Sequence, residues 1–165
     1  MDKYFYLVSQ LPLLFFNEKP ILSTGAFLLE TKKWLPEKDF AILCSATLRN
    51  PKQTVNSPDI IIDYKDFDQM LVVDLVKWRE SKQTGQRFEP LSFPISTVTE
   101  GDPLEVEIKL LRVRWDFLVG MEADHHFNLE CLVIYFLKLQ VVEKIMIFND
   151  EVGRENFQIL CEMTA

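Results

Sequence analysis

The sequence predicts a mainly α, single-domain helical bundle of five or six helices. Apolar residues recur at intervals of three and four in several segments, and helix-start signals precede them. Two proline-containing breaks separate these segments. Of the 165 residues, 48% are hydrophobic, with 13 Phe, 4 Tyr and 3 Trp. A chain of this length and composition can bury a sizeable core, so we expect one domain over residues 1–165.

The N-terminal segment is apolar but lacks helical spacing. Residues 3–14 carry β-branched and aromatic side chains and fit either a short strand or an irregular packed segment. The apolar stretch from Tyr4 to Phe16 is shorter than the roughly 20 residues that a membrane span needs. A single Lys3 before it is not the basic start of a signal peptide. We therefore expect a cytoplasmic protein without a membrane span.

A helical hairpin is predicted at about residues 23–49. Ser23 is a candidate N-cap for its first helix, and Pro36 suits the first turn of its second. The linker at residues 50–63 contains prolines and asparagines, and its isoleucines at 60–62 fit a short strand.

A longer helix follows at about residues 66–84. Its apolar positions step by four, four and three along one face: Phe67, Leu71, Leu75 and Trp78. Gly85 can end this helix. Residues 86–101 contain Pro90 and Pro94, which do not sustain a helix.

The C-terminal residues, about 102–163, predict a block of three helices. Asp102, Pro103 and Glu105 form a capping box with proline at the first helical position. An apolar seam follows at Leu104, Ile108, Leu111, Trp115 and Leu118. Asn128 can cap a helix that is apolar around most of its circumference, which indicates a central position. A last helix is expected from residue 149 or 150 through Phe157, Leu160 and Met163.

Charge and motifs argue against several function classes. The net charge of −7 disfavours nucleic acid as a partner, because phosphates require a basic face. The five glycines are isolated, so no phosphate-binding loop is expected, and no nucleophile motif appears. Cys44, Cys131 and Cys161 are widely spaced and are typical of small buried residues in a reducing compartment. We therefore expect no catalytic residue and no cofactor.

One polar cluster could bind a metal ion. Glu122, Asp124, His125 and His126 lie in the connection between two predicted helices. Carboxylates and imidazoles are metal ligands, but adjacent histidines point in different directions in most backbones. We interpret the cluster as a solvated loop, and a small metal-dependent enzyme that uses it remains the alternative.

Two groups of residues are candidate protein contacts. Arg112 and Arg114 flank Trp115, and we expect both arginines on its solvent side. Tyr4 and Tyr6 form part of an aromatic N-terminus. Arg, Tyr and Trp are enriched at interface anchors, although a core Trp with two surface arginines explains the same pattern.

Several segments together resemble one bacterial family. They are residues 3–14 (KYFYLVSQLPLL), 102–105 (DPLE), 114–118 (RWDFL), 127–130 (FNLE) and 135–140 (YFLKLQ), with Gly153 and Phe157. The family is encoded among V-type ATP synthase genes. It has been regarded as a counterpart of the non-catalytic component that joins the rotor stalk to the membrane ring. This chain is similar to a shortened member, since the link at 86–101 is brief.

The resemblance implies a non-catalytic accessory or stalk subunit of a V-type ATP synthase. Such a subunit would couple or stabilise the rotor stalk and the membrane ring, with other subunits of the complex as its partners. It would be peripheral to the inner membrane through that complex. An adaptor for an unrelated protein partner is a further alternative.

Overall fold

Seven helices make up the described part of the chain. The computed structural model describes residues 4–49, 51–52 and 57–148, and no strand occurs among them. The helices are α1 (Phe5–Ser9), α2 (Thr24–Trp34), α3 (Glu37–Ser45), α4 (Asp59–Thr84), α5 (Ser96–Thr99), α6 (Pro103–Glu122) and α7 (Leu129–Ile147). The predicted mainly helical bundle is confirmed.

Helix α7 lies at the centre of the bundle, as its all-round apolar sequence predicted. Ten of its residues are buried, and it packs against α2, α3 and α6. Phe27 of α2 stacks on Phe136, with ring centroids 5.6 Å apart. The apolar seam of α6 supplies Leu111, Trp115 and Leu118 to the same core. Burial of this kind is the main stabilising contribution to a helical domain.

Side-chain caps begin three of the helices where the sequence predicted them. The Ser23 hydroxyl accepts the backbone N–H of Ala26 at 3.1 Å. Asp102 accepts from the N–H of Glu105 at 2.9 Å, and the Glu105 carboxylate accepts from the N–H of Asp102 at 3.2 Å. Asn128 accepts from the N–H of Cys131 at 2.9 Å. Each cap satisfies an amide that the helix leaves unpaired.

The two segments that fitted short strands are helical. Residues 5–9 form α1, which buries Leu7 in the main core. The isoleucines at 60–62 lie in the first turn of α4, which begins seven residues earlier than predicted. Ile60 and Ile61 are buried there, so core packing outweighs their β-branched preference. Helix α3 ends at Ser45 rather than near residue 49. The four-residue α5 lies within the proline-containing break at 86–101, where no helix was predicted.

A second, smaller core holds α4, α6 and the loop at 86–101 together. It contains Leu71, Phe93, Val98 and Leu110. Beside it, one oxygen of Asp74 accepts from the backbone N–H groups of Leu91 and Ser92, each at 2.9 Å, and from the Ser92 hydroxyl at 2.8 Å. Burial alone would raise the pKa of Asp74, but these hydrogen bonds outweigh it and lower the pKa. The loop is therefore an ordered cover of one side of α4.

The helix predicted from residue 149 or 150 through Met163 lies outside the described residues. Among the described helices, none combines the length and the apolar character that crossing a bilayer requires.

Candidate protein-binding surfaces

The two predicted contact arginines have opposite environments. Arg114 is buried, and its guanidinium contacts the buried Asp68 carboxylate through Nη2 at 2.9 Å and Nε at 3.0 Å. Its Nη1 also donates to the carbonyl of Leu110 at 3.4 Å. The expectation that Arg114 lies on the solvent side is wrong. Position 114 is three residues after Leu111 and four before Leu118, so it shares their buried face.

Arg112 is exposed, as predicted. Its Nε lies 2.9 Å from the carboxylate of Asp116, one helical turn further along α6. The guanidinium carbon also lies 4.9 Å from the centre of the Phe16 ring. Phe16 in turn packs edge-on against Trp115. Arg112 thus covers an aromatic pair, while its own side chain remains accessible to a partner.

The two predicted tyrosines also differ in role. The Tyr4 hydroxyl donates to Asp39 at 2.5 Å, which ties the residue preceding α1 to α3. Tyr4 is therefore a structural contact between two helices. Tyr6 is 57% exposed, and its ring lies 5.2 Å from that of Trp34 at the end of α2. Of the two, Tyr6 remains a candidate for binding a partner.

Tyr6 belongs to one of two contacting pairs of exposed aromatic rings, which we together name the aromatic patch: Phe5 with Phe127, and Tyr6 with Trp34. The rings of Phe5 and Phe127 are 4.6 Å apart, and these side chains are 53% and 37% exposed. Trp34 is 46% exposed, and its indole N–H donates to Glu30 at 3.1 Å. Hydrogen bonds from Lys33 and Trp34 lower the pKa of Glu30. The carboxylate thus holds the indole in place on the surface.

Phe127 has an unusual backbone. Its φ is +55°, and among the described residues no other non-glycine residue has a positive φ. The left-handed region costs a bulky L-residue about 1–2 kcal/mol. This conformation places the ring against Phe5 at the surface rather than in the core. Strain of this kind is concentrated at functional sites, so it is a second observation that marks the aromatic patch.

The loop at residues 122–126, for which metal binding was the alternative interpretation, is not assembled as a metal site. Glu122 binds the ammonium group of Lys138 at 2.7 Å, and the Nδ1 atom of His125 faces the amide of Asn128 at 3.4 Å. Asp124 and His126 are exposed. Throughout residues 4–49, 51–52 and 57–148, no three His, Cys, Asp or Glu side chains are placed to hold one metal ion.

The described cysteines are less buried than the sequence suggested. Cys44 is exposed and Cys131 is half-buried, while Cys161 lies outside the described residues. Partial burial raises the pKa of both the Cys44 and the Cys131 thiol. A raised pKa disfavours the reactive thiolate at these two cysteines.

A groove of about 530 Å³ lies between α4 and α6. We name it the α4–α6 groove. Val72, Leu75 and Val76 of α4 and Leu110 of α6 form its apolar lining, and the buried pair of Asp68 and Arg114 lies beside them. Four basic and two acidic side chains line it, so it carries a net charge of +2 in a chain whose net charge is −7. The groove was not predictable from the sequence, because Leu71 and Leu75 at helical spacing indicate only a core face.

Three comparisons with known proteins found no relative of this chain. No family model, no curated protein and no solved structure matches it. The geometry of the aromatic patch and the sequence resemblance are therefore the basis of the functional proposal.

Proposed function

We propose that this protein is a non-catalytic accessory or stalk subunit of a V-type ATP synthase. In this role it binds a neighbouring subunit through the aromatic patch and couples or stabilises the rotor stalk and the membrane ring. The sequence resemblance supports the ATP synthase context. The four exposed aromatic side chains on a rigid helical scaffold support a binding function and are the observation that carries the proposal.

The physical argument rests on how exposed aromatic rings behave. Tyr and Trp supply large contact areas with few rotatable bonds, and they dominate the energetics of many interfaces. Trp34 and Tyr6 already contact each other, and Glu30 orients the indole. Less side-chain entropy is lost on binding when the anchors are ordered beforehand. A rigid scaffold with such anchors suits a subunit that transmits force without chemistry.

The test is recovery of the ATP synthase with the tagged full-length chain from gently solubilised native membranes, quantified by mass spectrometry. Stalk and ring subunits are expected in near-equal amounts. A Tyr6→Ala/Trp34→Ala variant should lose them, since one interface anchor contributes about 2 kcal/mol or more, roughly 30-fold in Kd. Leu13→Ala is the matched control, because Leu13 is 82% exposed and lies outside the aromatic patch.

Three outcomes would refute the proposal. If the chain never fractionates with ATP synthase subunits while the complex stays intact, it is not a subunit of that complex. If a different protein is recovered and is lost only with Tyr6→Ala/Trp34→Ala, the chain is an adaptor for that partner. A partner lost equally with Leu13→Ala would show that the aromatic patch is not the binding surface.

A further inference from the structure

Helix α4 exposes adjacent apolar side chains on the side that faces away from its buried residues. Met70 and Val73 are 44% and 41% exposed and lie about one helical turn apart. Val76, the next apolar position along the helix, is 45% exposed. Adjacent apolar side chains at the surface of a folded protein mark a candidate interaction surface.

Charged side chains extend this apolar surface in both directions along the helix. Asp66 lies one turn before Met70, and Lys77 lies one turn after Val73; both are exposed. At about 100° per residue, these four positions fall within a sector of about 60° around the helix axis. We name Asp66, Met70, Val73 and Lys77 the α4 stripe. The stripe is therefore acidic at its N-terminal end, apolar in the middle and basic at its C-terminal end.

The helix itself does not account for the two charges of the α4 stripe. The helix dipole favours acidic residues in the first turn and basic residues in the last. Asp66 and Lys77 each lie seven residues inside the ends of α4. The ion pairs found among the described residues involve neither side chain. Both charges are thus available to a partner.

The order of charges makes the α4 stripe complementary to a second, antiparallel copy of itself. A two-fold axis across the middle of the stripe brings each position level with the one at equal distance on the other side. Asp66 then meets Lys77 of the second copy, and Met70 meets its Val73. The axis repeats each contact, so the pair contains two acid–base contacts around an apolar centre.

Charge also selects the orientation of the two copies. A parallel pair would place Asp66 beside Asp66 and Lys77 beside Lys77, and like charges in an interface repel. In the antiparallel pair Asp63 comes level with Glu80 of the second copy. These two positions lie about 100° apart around the helix, on opposite edges of the stripe, so their carboxylates do not face each other.

We propose that the α4 stripe binds the α4 stripe of a second copy of this chain in an antiparallel dimer. The few apolar side chains involved predict a small interface and therefore a weak, reversible dimer. The residues of the aromatic patch lie on other elements than α4. This inference therefore does not depend on the ATP synthase assignment.

The first experiment reverses one charge at a time and measures the mass of the full-length chain by sedimentation equilibrium over a wide range of concentration. The unmodified chain should show a reversible equilibrium between monomer and dimer. Asp66→Lys and Lys77→Glu should each weaken the dimer at least about tenfold, because each places like charges in both repeated contacts. Lys38→Glu is the matched control, since Lys38 is exposed and lies on α3.

An equimolar mixture of the Asp66→Lys and Lys77→Glu chains should dimerise as the unmodified chain does, because each variant supplies the charge that the other needs. Positions 66 and 77 are about 16 Å apart along one helix, so this rescue cannot arise within a single chain. Weak association of the mixture, equal to that of either variant alone, would overturn the proposal.

A second pair of variants tests which surface forms the dimer. Val73→Asp places a carboxylate in the apolar centre and should also weaken the dimer at least about tenfold. Tyr6→Ala/Trp34→Ala should leave the dimer unchanged, which distinguishes this inference from binding through the aromatic patch. A chain that stays monomeric at every concentration would overturn the proposal, even if a different protein covers the stripe. A dimer that Val73→Asp does not weaken would overturn it too.

Discussion

The buried pair of Arg114 and Asp68 offers the sharpest test of the packing between α4 and α6. We consider Arg114→Met, which replaces the charged side chain with an unbranched apolar one. The side chains of Arg114 and Asp68 are only 4% and 8% exposed, so water cannot replace the lost partner. Asp68 would then be a buried carboxylate that has lost the guanidinium bound to it at 2.9 and 3.0 Å.

Arg114→Met should lower the free energy of unfolding by a large amount for a single substitution. Removing one partner of a buried pair destabilises a protein by about 3–5 kcal/mol, because an uncompensated charge stays buried. Replacing both partners by apolar residues is often close to neutral. Arg114→Met and Asp68→Leu should therefore each be costly, and the double variant should cost much less than their sum.

Urea denaturation followed by tryptophan fluorescence measures these costs, since Trp115 adjoins Arg114 in α6. With a slope of about 2 kcal/mol per molar urea, a loss of about 3–5 kcal/mol lowers the midpoint by roughly 2 M. Arg112→Met is the matched control, since it breaks an exposed pair worth at most about 1 kcal/mol. Equal midpoints for Arg114→Met and Arg112→Met, or strict additivity in the double variant, would refute the reasoning.

Three further predictions concern local features. Asp74→Ala removes three hydrogen bonds and should cost about 2–3 kcal/mol at pH 7. The folded-state pKa of Asp74 is lowered, so the stabilisation from its carboxylate is complete above about pH 3.9 and should disappear as the pH falls through the folded pKa. The acid denaturation curves of the variant and the unmodified chain should therefore converge at low pH. Burial raises the pKa of Tyr135 to about 12. Because the unfolded chain loses this proton first, the free energy of unfolding should fall as the pH rises from about 10 through 12. An ultraviolet titration in which Tyr135→Phe leaves that late ionisation unchanged would contradict this. Phe127→Gly should be more stable than Phe127→Ala by about 1 kcal/mol in thermal unfolding. Both variants lose the ring, but only alanine keeps the backbone strain at φ +55°. Equal stabilities would show that the backbone there is relaxed.

The helix starts were the most predictable part of the fold, because a cap is a local interaction. Ser23, Asp102 and Asn128 each bond an amide three residues ahead, and that spacing is visible in the sequence. The start of α4 was not predictable in this way. Ile60 and Ile61 favour a strand locally, and only their burial in the main core makes them helical.

The candidate sites were predicted less well than the fold. Tyr6 was identified, but Trp34, which contacts it, and Phe127, which contacts Phe5, are aromatic residues that the sequence pattern does not separate from core residues. Arg114 was placed on the wrong face, although its spacing to Leu111 and Leu118 contained the correct answer. The charge of Arg114 predicted a surface position, whereas the apolar periodicity of α6 indicated that this position is buried. Where the two signals disagree inside a strong apolar seam, a buried ion pair is the better prediction.

Helix α4 shows how a buried pair and an open groove arise from one element. Leu71 and Asp74 face the loop at 86–101, while Val72 and Val76 face the α4–α6 groove. A helix that is apolar on two adjacent faces is normally covered on both. The loop covers one side, and Asp68 with Arg114 joins α4 to α6 beneath the other. This ion pair joins α4 to α6 without filling the groove, so one helix contributes both to the buried ion pair and to the open groove.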